Sequence, residues 1–374
     1  MRTVRRLLYA DVVSAVVFVA LAFLSLFFFI DFVDELGDVG KDYSAMHAAL
    51  YSLLELPGHL YELAPIAVLI GTIYALSRLA QSSEFTILRT GGLGPGRALS
   101  LLMGLGIAFG ILTFAVGDYL APLSERAAAE LHARVKGGVL LGRAGAWLKD
   151  RQMTPEGERG FSVNVTAAAA DGELLGVRIY AFDAQGRLIE RVAAEAGRVD
   201  DAGVWTLNNA TVTDWRGASA AAEAETAELT VDVQHQPTYR WQSTLSANVV
   251  AAAVLPVNSM STFELFRYIE HLSENEQTAQ RYELRFWKRA LYPLACLVMV
   301  GLALPFAYLH ARAGGVSLKV FGGIMLGISF VLMNNVAAHV GLLKNWTPWL
   351  VAATPSGIYL LLSMAAFSWL VRYR

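Results

Sequence analysis

The chain has 374 residues and a formal net charge of −2, from 30 basic and 32 acidic side chains. Only 17% of residues are charged and 55% are hydrophobic, against about 25% charged in a soluble domain, and the mean hydropathy of +0.44 points to a membrane protein. The composition excludes a nucleic-acid binder, which shows a basic patch, and the single cysteine, Cys296 in an apolar run, excludes a disulfide scaffold.

A membrane-crossing helix needs about 20 mostly apolar residues, and six stretches qualify. The first, Val12–Ile30, has no charge. It is longer than the apolar core of a signal peptide, and no small-residue cleavage site follows. Asp31, Asp34 and Glu35 come next, so it reads as an uncleaved span. The second is about Leu60–Leu79, with Glu62 near its start and Arg78 at its end.

Residues 81–97 then form the largest loop between neighbouring spans on that side. Ser82 or Ser83 caps a short helix, and Glu84 sits in its first turn, where the dipole favours an acid. Phe85 and Leu88 make an apolar face, Arg89 occupies the last turn, and Gly91 is a natural C′ residue. Such a helix either lies on the lipid surface or docks into a groove on a soluble partner. The glycine-rich run from Gly91 to Gly96 lacks the Gly-Lys-Ser/Thr ending of a phosphate cradle, and Pro95 removes a backbone donor. The third span is Ala98–Gly117. Its Gly106 and Gly110 form a close-packing pair, read as packing within the subunit.

A long insert follows. Residues 123–280 hold 21 acids against 14 bases, so this stretch reads as water-soluble. A helix is expected at about Leu123–Lys136. Six short strands are expected at Gly160–Val165, Leu175–Phe182, Leu188–Ala196, Val204–Thr213, Glu225–Val233 and Tyr239–Leu245. Turn signals such as Asp171-Gly172 and Asp201-Ala202-Gly203 separate them. This spacing suggests a sandwich or jelly roll, with Ile179, Phe182, Val204 and Leu207 in its core. A capping box at Ser261–Glu264 opens a second helix, with Phe263, Phe266, Ile269 and Leu272 on one face. The last three spans are Ala290–Leu309, Val320–Leu343 and Thr347–Val371, and no acid follows Glu283.

Basic residues orient the chain. With the N-terminus in the cytoplasm, the cytoplasmic segments carry ten, including Arg78, Arg89, Arg97, Arg312 and Lys319. The two short outer loops carry Lys41 and Lys344 alone. One cluster runs against the rule: Arg281, Arg285, Lys288 and Arg289 lead into the fourth span from outside. The insert is then outside the cytoplasm.

No catalytic chemistry is legible. The seven histidines do not pair at metal-ligand spacing, and no serine sits in a Gly-x-Ser-x-Gly elbow. The spans lack mid-depth charges of the kind that relay protons in pumps. The chain therefore reads as non-enzymatic, without metal or bound cofactor, and energised from its cytoplasmic side. A stand-alone secondary carrier and a non-transporting membrane scaffold are the alternatives.

The run Leu79–Gly92, with Gln81-Ser82-Ser83-Glu84-Phe85 at its centre, resembles the coupling-helix segment of the LptF/LptG permeases of the lipopolysaccharide export ABC transporter. Phe32–Leu36, Leu56-Pro57, Ile179–Phe182, Tyr282, Phe286–Lys288 and Tyr292–Leu294 are similar to the LptG-like type, in order along essentially the whole chain. The resemblance implies an α-helical membrane protein with six transmembrane helices and an inserted periplasmic β-jelly-roll-like domain. The divisions are then 1–122 (three spans, coupling helix at about 82–91), 123–283 (the β domain with flanking helices) and 284–374 (three spans).

The resemblance further implies an LptF-like permease partner, two copies of a cytoplasmic ABC ATPase that holds ATP and Mg, and a single-span bitopic periplasmic bridge protein. It places the chain in the inner membrane of a Gram-negative bacterium with both termini cytoplasmic. Lipopolysaccharide is the implied substrate. Ser83, Glu84, Phe85, Leu88, Arg89 and Gly91 would couple to the ATPase. Lys41, Arg134, Lys136, Lys288 and Arg289 are candidates for a basic substrate rim, and Phe27, Phe28 and Asp31 for the cavity. Asp31 departs from relatives with a basic residue there, and an acid facing a phosphate repels it.

Overall fold

A computed structural model describes residues 2–40, 43–82, 94–136, 145–154, 157–168, 173–200, 202–216, 230–245, 247, 249–250, 260–274, 279–308 and 315–373. The chain divides into two compact units, residues 1–128 with 283–374, and residues 129–282.

Among the described residues, six helices are long and apolar enough to cross a membrane. They are α1 (Arg2–Leu36), α2 (Ala45–Gln81), α3 (Pro95–Ala115), α6 (Gln280–Tyr308), α7 (Val316–Leu343) and α8 (Pro348–Tyr373). A π turn at Val116–Leu120 carries α3 on into α4 (Ala121–Lys136). All six expected spans are present, and α1, α2 and α6 run well beyond the apolar stretches that signalled them.

The core of this unit is built around α2. Leu69, Ile73 and Leu76 are fully buried, together with Leu8 and Val12 of α1, Leu102 of α3, Met299 and Val300 of α6, Phe330 of α7 and Tyr359 of α8. Lipid tails are as apolar as these side chains, so close packing rather than water exclusion holds the helices together. At Gly71 the two backbones touch: a Cβ there would lie 2.6 Å from the backbone of Val16. Gly106 and Gly110 lie against Leu297 and Pro293 of α6, so the small-residue pair of the third span packs within the subunit.

The insert forms one antiparallel sheet in which each strand pairs with its chain neighbour. The strands are β1 (Ala146–Thr154), β2 (Gly157–Ala168), β3 (Leu174–Phe182), β4 (Leu188–Val199), β5 (Val204–Arg216) and β6 (Thr230–Gln242). The register Leu148–Val163–Ile179–Val192–Val212 makes a row of buried apolar residues across five strands.

The sheet is creased. The ladders are interrupted along one line, where Thr166, Gly176, Glu195, Asn209 and Pro237 fall between paired residues across β2 to β6. Gly176 and Asn209 both have positive φ, +62° and 52°, and Asn209 Nδ2 donates to Glu195 Oε2 at 3.0 Å. Gly176 has no room for a side chain, since a Cβ would meet Thr166 at 2.7 Å. The inside–outside alternation slips at this line: Leu174 and Val177, and likewise Leu207 and Ala210, are all buried although three apart. Beyond the crease the sheet turns back over itself. Trp241 of β6 packs 5.2 Å from Phe161 of β2, whereas four strand spacings in a flat sheet are about 19 Å. Tyr239 of β6 reaches Glu190 of β4 by a 3.1 Å hydrogen bond.

Where the folded sheet closes, β1 meets the segment after β6. Asp150 is 1% exposed and accepts hydrogen bonds from Gln152 Nε2, Ser243 Oγ, Thr244 N and Thr244 Oγ1. Four donors around one carboxylate satisfy a group that is otherwise costly to bury.

Three expectations need correction. β1 is a strand that the sequence pattern did not show. The strands placed at Glu225–Val233 and Tyr239–Leu245 are one strand, Thr230–Gln242. Pro237 looks like a break, but β6 lies at an end of the sheet order, where a missing N–H costs no ladder bond. The helix α5 (Thr262–Glu274) buries Leu265, Tyr268 and Leu272, while Phe263 and Phe266 are 58% and 51% exposed. The buried face has 3–4 spacing through Leu265, and Arg267 covers the outward Phe263 ring at 4.4 Å. Of the four expected core residues, Ile179 and Leu207 are fully buried, and Phe182 and Val204 are half-buried.

Candidate functional site

The first turns of α6 place Arg285, Lys288, Arg289 and Tyr292 at i, i+3, i+4 and i+7, which is one face of a helix. That face borders a cavity of about 280 Å³ inside the helical unit. Glu62, Tyr61, Leu63 and Ile66 of α2 form the opposite wall. Phe330, Val331, Asn334 and Asn335 of α7 and Ala352 and Ser356 of α8 complete it, and Phe27 of α1 closes one side.

The lining is divided by polarity. Three cations and one acid, Glu62, gather where α6 begins, and the amides of Asn334 and Asn335 join them. About one turn from Glu62 on α2, and from Asn334 and Asn335 on α7, the lining is apolar, with Ile66, Phe330 and Val331. Arg289 is 4% exposed, and the charges that act on it are those of Arg285, Tyr61, Glu125 and Asp118. Arg285 Nε is buried without a hydrogen-bond partner among the described residues. Tyr292 fixes α6 to α2: its hydroxyl donates to the Glu62 carbonyl, and its ring lies 4.9 Å from that of Tyr61. A pocket that combines an excess of positive charge with apolar walls matches a ligand with an anionic head and an apolar body.

The wall on the α1 side is held by a pair that joins two helices. Asp31 Oδ2 and His59 Nε2 are 2.8 Å apart, with side chains 22% and 23% exposed. The Phe27 ring lies 4.7 Å from the His59 ring. Asp31 is therefore occupied with His59, and Phe27, one turn earlier, is the wall residue. Phe28 stacks on Phe32 at 6.0 Å and does not line the cavity.

Lys288 and Arg289 are thus brought together with Phe27. Arg134 and Lys136 belong to α4, and their side chains lie outside the described residues. Lys41 and the segment with Ser83, Glu84, Phe85, Leu88, Arg89 and Gly91 lie outside them as well. Sequence reasoning did not assign Arg285, Tyr61, Asn334 or Asn335 to the cavity, nor His59 to the pair behind its wall. The signal for Arg285 was present, because the cluster that breaks the charge asymmetry is the one that builds the polar end.

The family model described as lipopolysaccharide export system permease LptF/LptG matches residues 6–371. The chain is 29% identical over 339 residues to the lipopolysaccharide export system permease protein LptG of Escherichia coli strain K12, covering 90% of this chain and 89% of the relative. It is 26% identical over 367 residues to the protein of the same name from Haemophilus influenzae, with 96% of each chain covered.

Proposed function

Because this chain belongs to the LptF/LptG family of lipopolysaccharide export permeases, we propose that it takes up lipopolysaccharide in the inner membrane through the cavity at the start of α6. One observation carries the assignment of the site: Arg285, Lys288 and Arg289 line a cavity that also exposes apolar side chains such as Ile66, Phe330 and Val331. Lipopolysaccharide joins phosphates to several acyl chains, so it needs both kinds of surface at once. Phosphate on guanidinium and ammonium groups forms charge-assisted hydrogen bonds. The Asp31 carboxylate is turned to His59, which keeps it from opposing the phosphates.

In this reading the chain is the LptG-like subunit, paired with an LptF-like permease above two ABC ATPase subunits and beside a single-span bridge protein. The β unit faces the periplasm, and both termini are cytoplasmic. Withdrawing a multi-acyl lipid from a bilayer costs about 0.8 kcal/mol per CH₂ exposed, so the work comes from ATP hydrolysed by the partner. Glu84, Phe85, Leu88 and Arg89 transmit it. Glu84→Ala, and a Phe85→Ala/Leu88→Ala double variant, are expected to leave insertion intact and uncouple ATP turnover from lipid release.

The site itself is tested by a photoreactive residue at Asn334 in the assembled transporter. It is expected to capture lipopolysaccharide, while the same probe at Leu361, 67% exposed on α8, is not. No adduct at Asn334, or equal adducts at both positions, overturns the assignment.

A further inference from the structure

The outward face of the β unit carries an arrangement that export through the helical cavity does not use. The row Lys149–Ser162–Tyr180–Arg191–Thr213 runs across β1 to β5. Two residues along lies the row Trp147–Asn164–Arg178–Ala193–Thr211. Between them is the buried row through Val163 and Ile179, so both outer rows share the opposite face.

On that face Trp147 leans over β2 and stacks on Tyr180, with ring centroids 6.0 Å apart and an interplanar angle of 22°. The Arg191 guanidinium sits 6.0 Å from the Tyr180 ring centre. Trp147 is 54% exposed, and Lys149 and Arg178 are exposed. Neither row contains an acid. Among the described residues, Lys149, Arg178 and Arg191 have no carboxylate partner. The insert as a whole has a large excess of acids, so three unpaired cations around two stacked aromatic rings mark a segregated patch.

We propose that this face binds the phosphorylated saccharide portion of lipopolysaccharide, an inference that rests on the proposed function. The open indole face of Trp147 offers a flat apolar surface to a sugar ring. Lys149, Arg178 and Arg191 offer charge-assisted hydrogen bonds to phosphate. The backbone of β2, β3 and β4 is paired on both sides, so side chains alone do the recognising here. An extended peptide adding to the sheet would use an edge instead.

The test is equilibrium dialysis of the full-length chain in detergent against phosphorylated saccharide prepared by removing the acyl chains. The wild type is expected to bind. Trp147→Ala and Arg191→Gln are each expected to weaken binding about tenfold, the scale of one desolvated aromatic–cation contact. Dephosphorylating the saccharide is expected to weaken it at least as much. Lys149→Gln, at an exposed position that cannot disturb folding, gives a second variant with a smaller loss in the same direction. Unchanged binding in Trp147→Ala and Lys149→Gln overturns the proposal. So does equal displacement of saccharide by polyglutamate from the wild type and the variants, which would place the saccharide away from this face. Capture of intact lipopolysaccharide at Asn334 of the wild type separates the two ideas. Normal capture without saccharide binding sinks this inference alone, and loss of capture sinks the function on which it rests.

Discussion

Asp150 in the β unit and Arg285 in the helical unit are both charged side chains with buried polar atoms, and they differ in what surrounds those atoms. Four donors from three residues converge on Asp150. Arg285 Nε has no partner among the described residues, and Lys288 and Arg289 share its cavity. A buried charge whose valences are filled by its own chain is a joint. In the proposed reading, the cations at the start of α6 are instead held for an anionic ligand.

This contrast breaks first at Asp150. Asp150→Ala strands its donors and is expected to cost about 3–5 kcal/mol, the range for removing one partner of a buried charge network. In a heat melt of the full-length chain, with protease resistance of the β unit as the readout, this is a fall of roughly 10 °C. A shift under about 2 °C would show that the closure of the sheet does not depend on this carboxylate.

Lys288→Gln should give the opposite pattern. Stability is expected to stay within about 0.5 kcal/mol of wild type. Lipopolysaccharide capture is expected to drop by about tenfold or more, the equivalent of one charged hydrogen bond. Equal losses of stability and capture would move the α6 cluster into the same class as Asp150.

Asp31→Asn sharpens the intermediate case. The pair with His59 is partly exposed on both sides, so it is worth about 1 kcal/mol or less. The melting point should move little, while Phe27 loses the fixed ring beneath it. Capture at a probe replacing Phe27 is the measurement, and a large drop in melting temperature would show the pair to be a structural joint.

The smallest effect concerns pH. Burial pushes the Glu190 carboxyl above its ordinary value of 4.5, and the same burial raises the Tyr239 phenol that bonds to it. A carboxyl with a raised folded-state pKa binds its proton more tightly in the folded unit. Its contribution is therefore fully present below the unfolded value and is lost as pH rises through the folded one. The β unit should lose a little stability across that window, and Glu190→Gln should flatten the slope. An unchanged slope in the variant would assign the dependence to another group.

The spans were legible because each is an apolar run of membrane length, a signal that needs no tertiary information. The β1 strand was not, because Lys149, Asp150, Arg151 and Gln152 make it polar; a strand at an end of the sheet with one solvated face has no reason to look hydrophobic. β6 was split in two because Pro237 reads as a breaker when its position in the sheet is unknown. In and around the cavity, Lys288 and Arg289 stood out as an exception to the charge rule. His59 did not, since its partner lies 28 positions away and only the packing of α1 on α2 brings them together. Arg285 shows the remaining limit, because helical spacing identifies a shared face and says nothing of what that face borders.

The crease through Gly176, Asn209 and Pro237 has a consequence for the order in which the β unit is made. Every ladder in the meander joins chain neighbours, so each hairpin can form as soon as its second strand is synthesised, at low sequence separation. Turning the sheet over at the crease is the one step that joins distant parts of the chain, Phe161 to Trp241 and Asp150 to Ser243. It must wait for β6. A chain halted before Thr230 would hold most of its hydrogen-bonded ladders with its apolar rows still uncovered, and that unfinished form is the one most exposed to a chaperone or a protease.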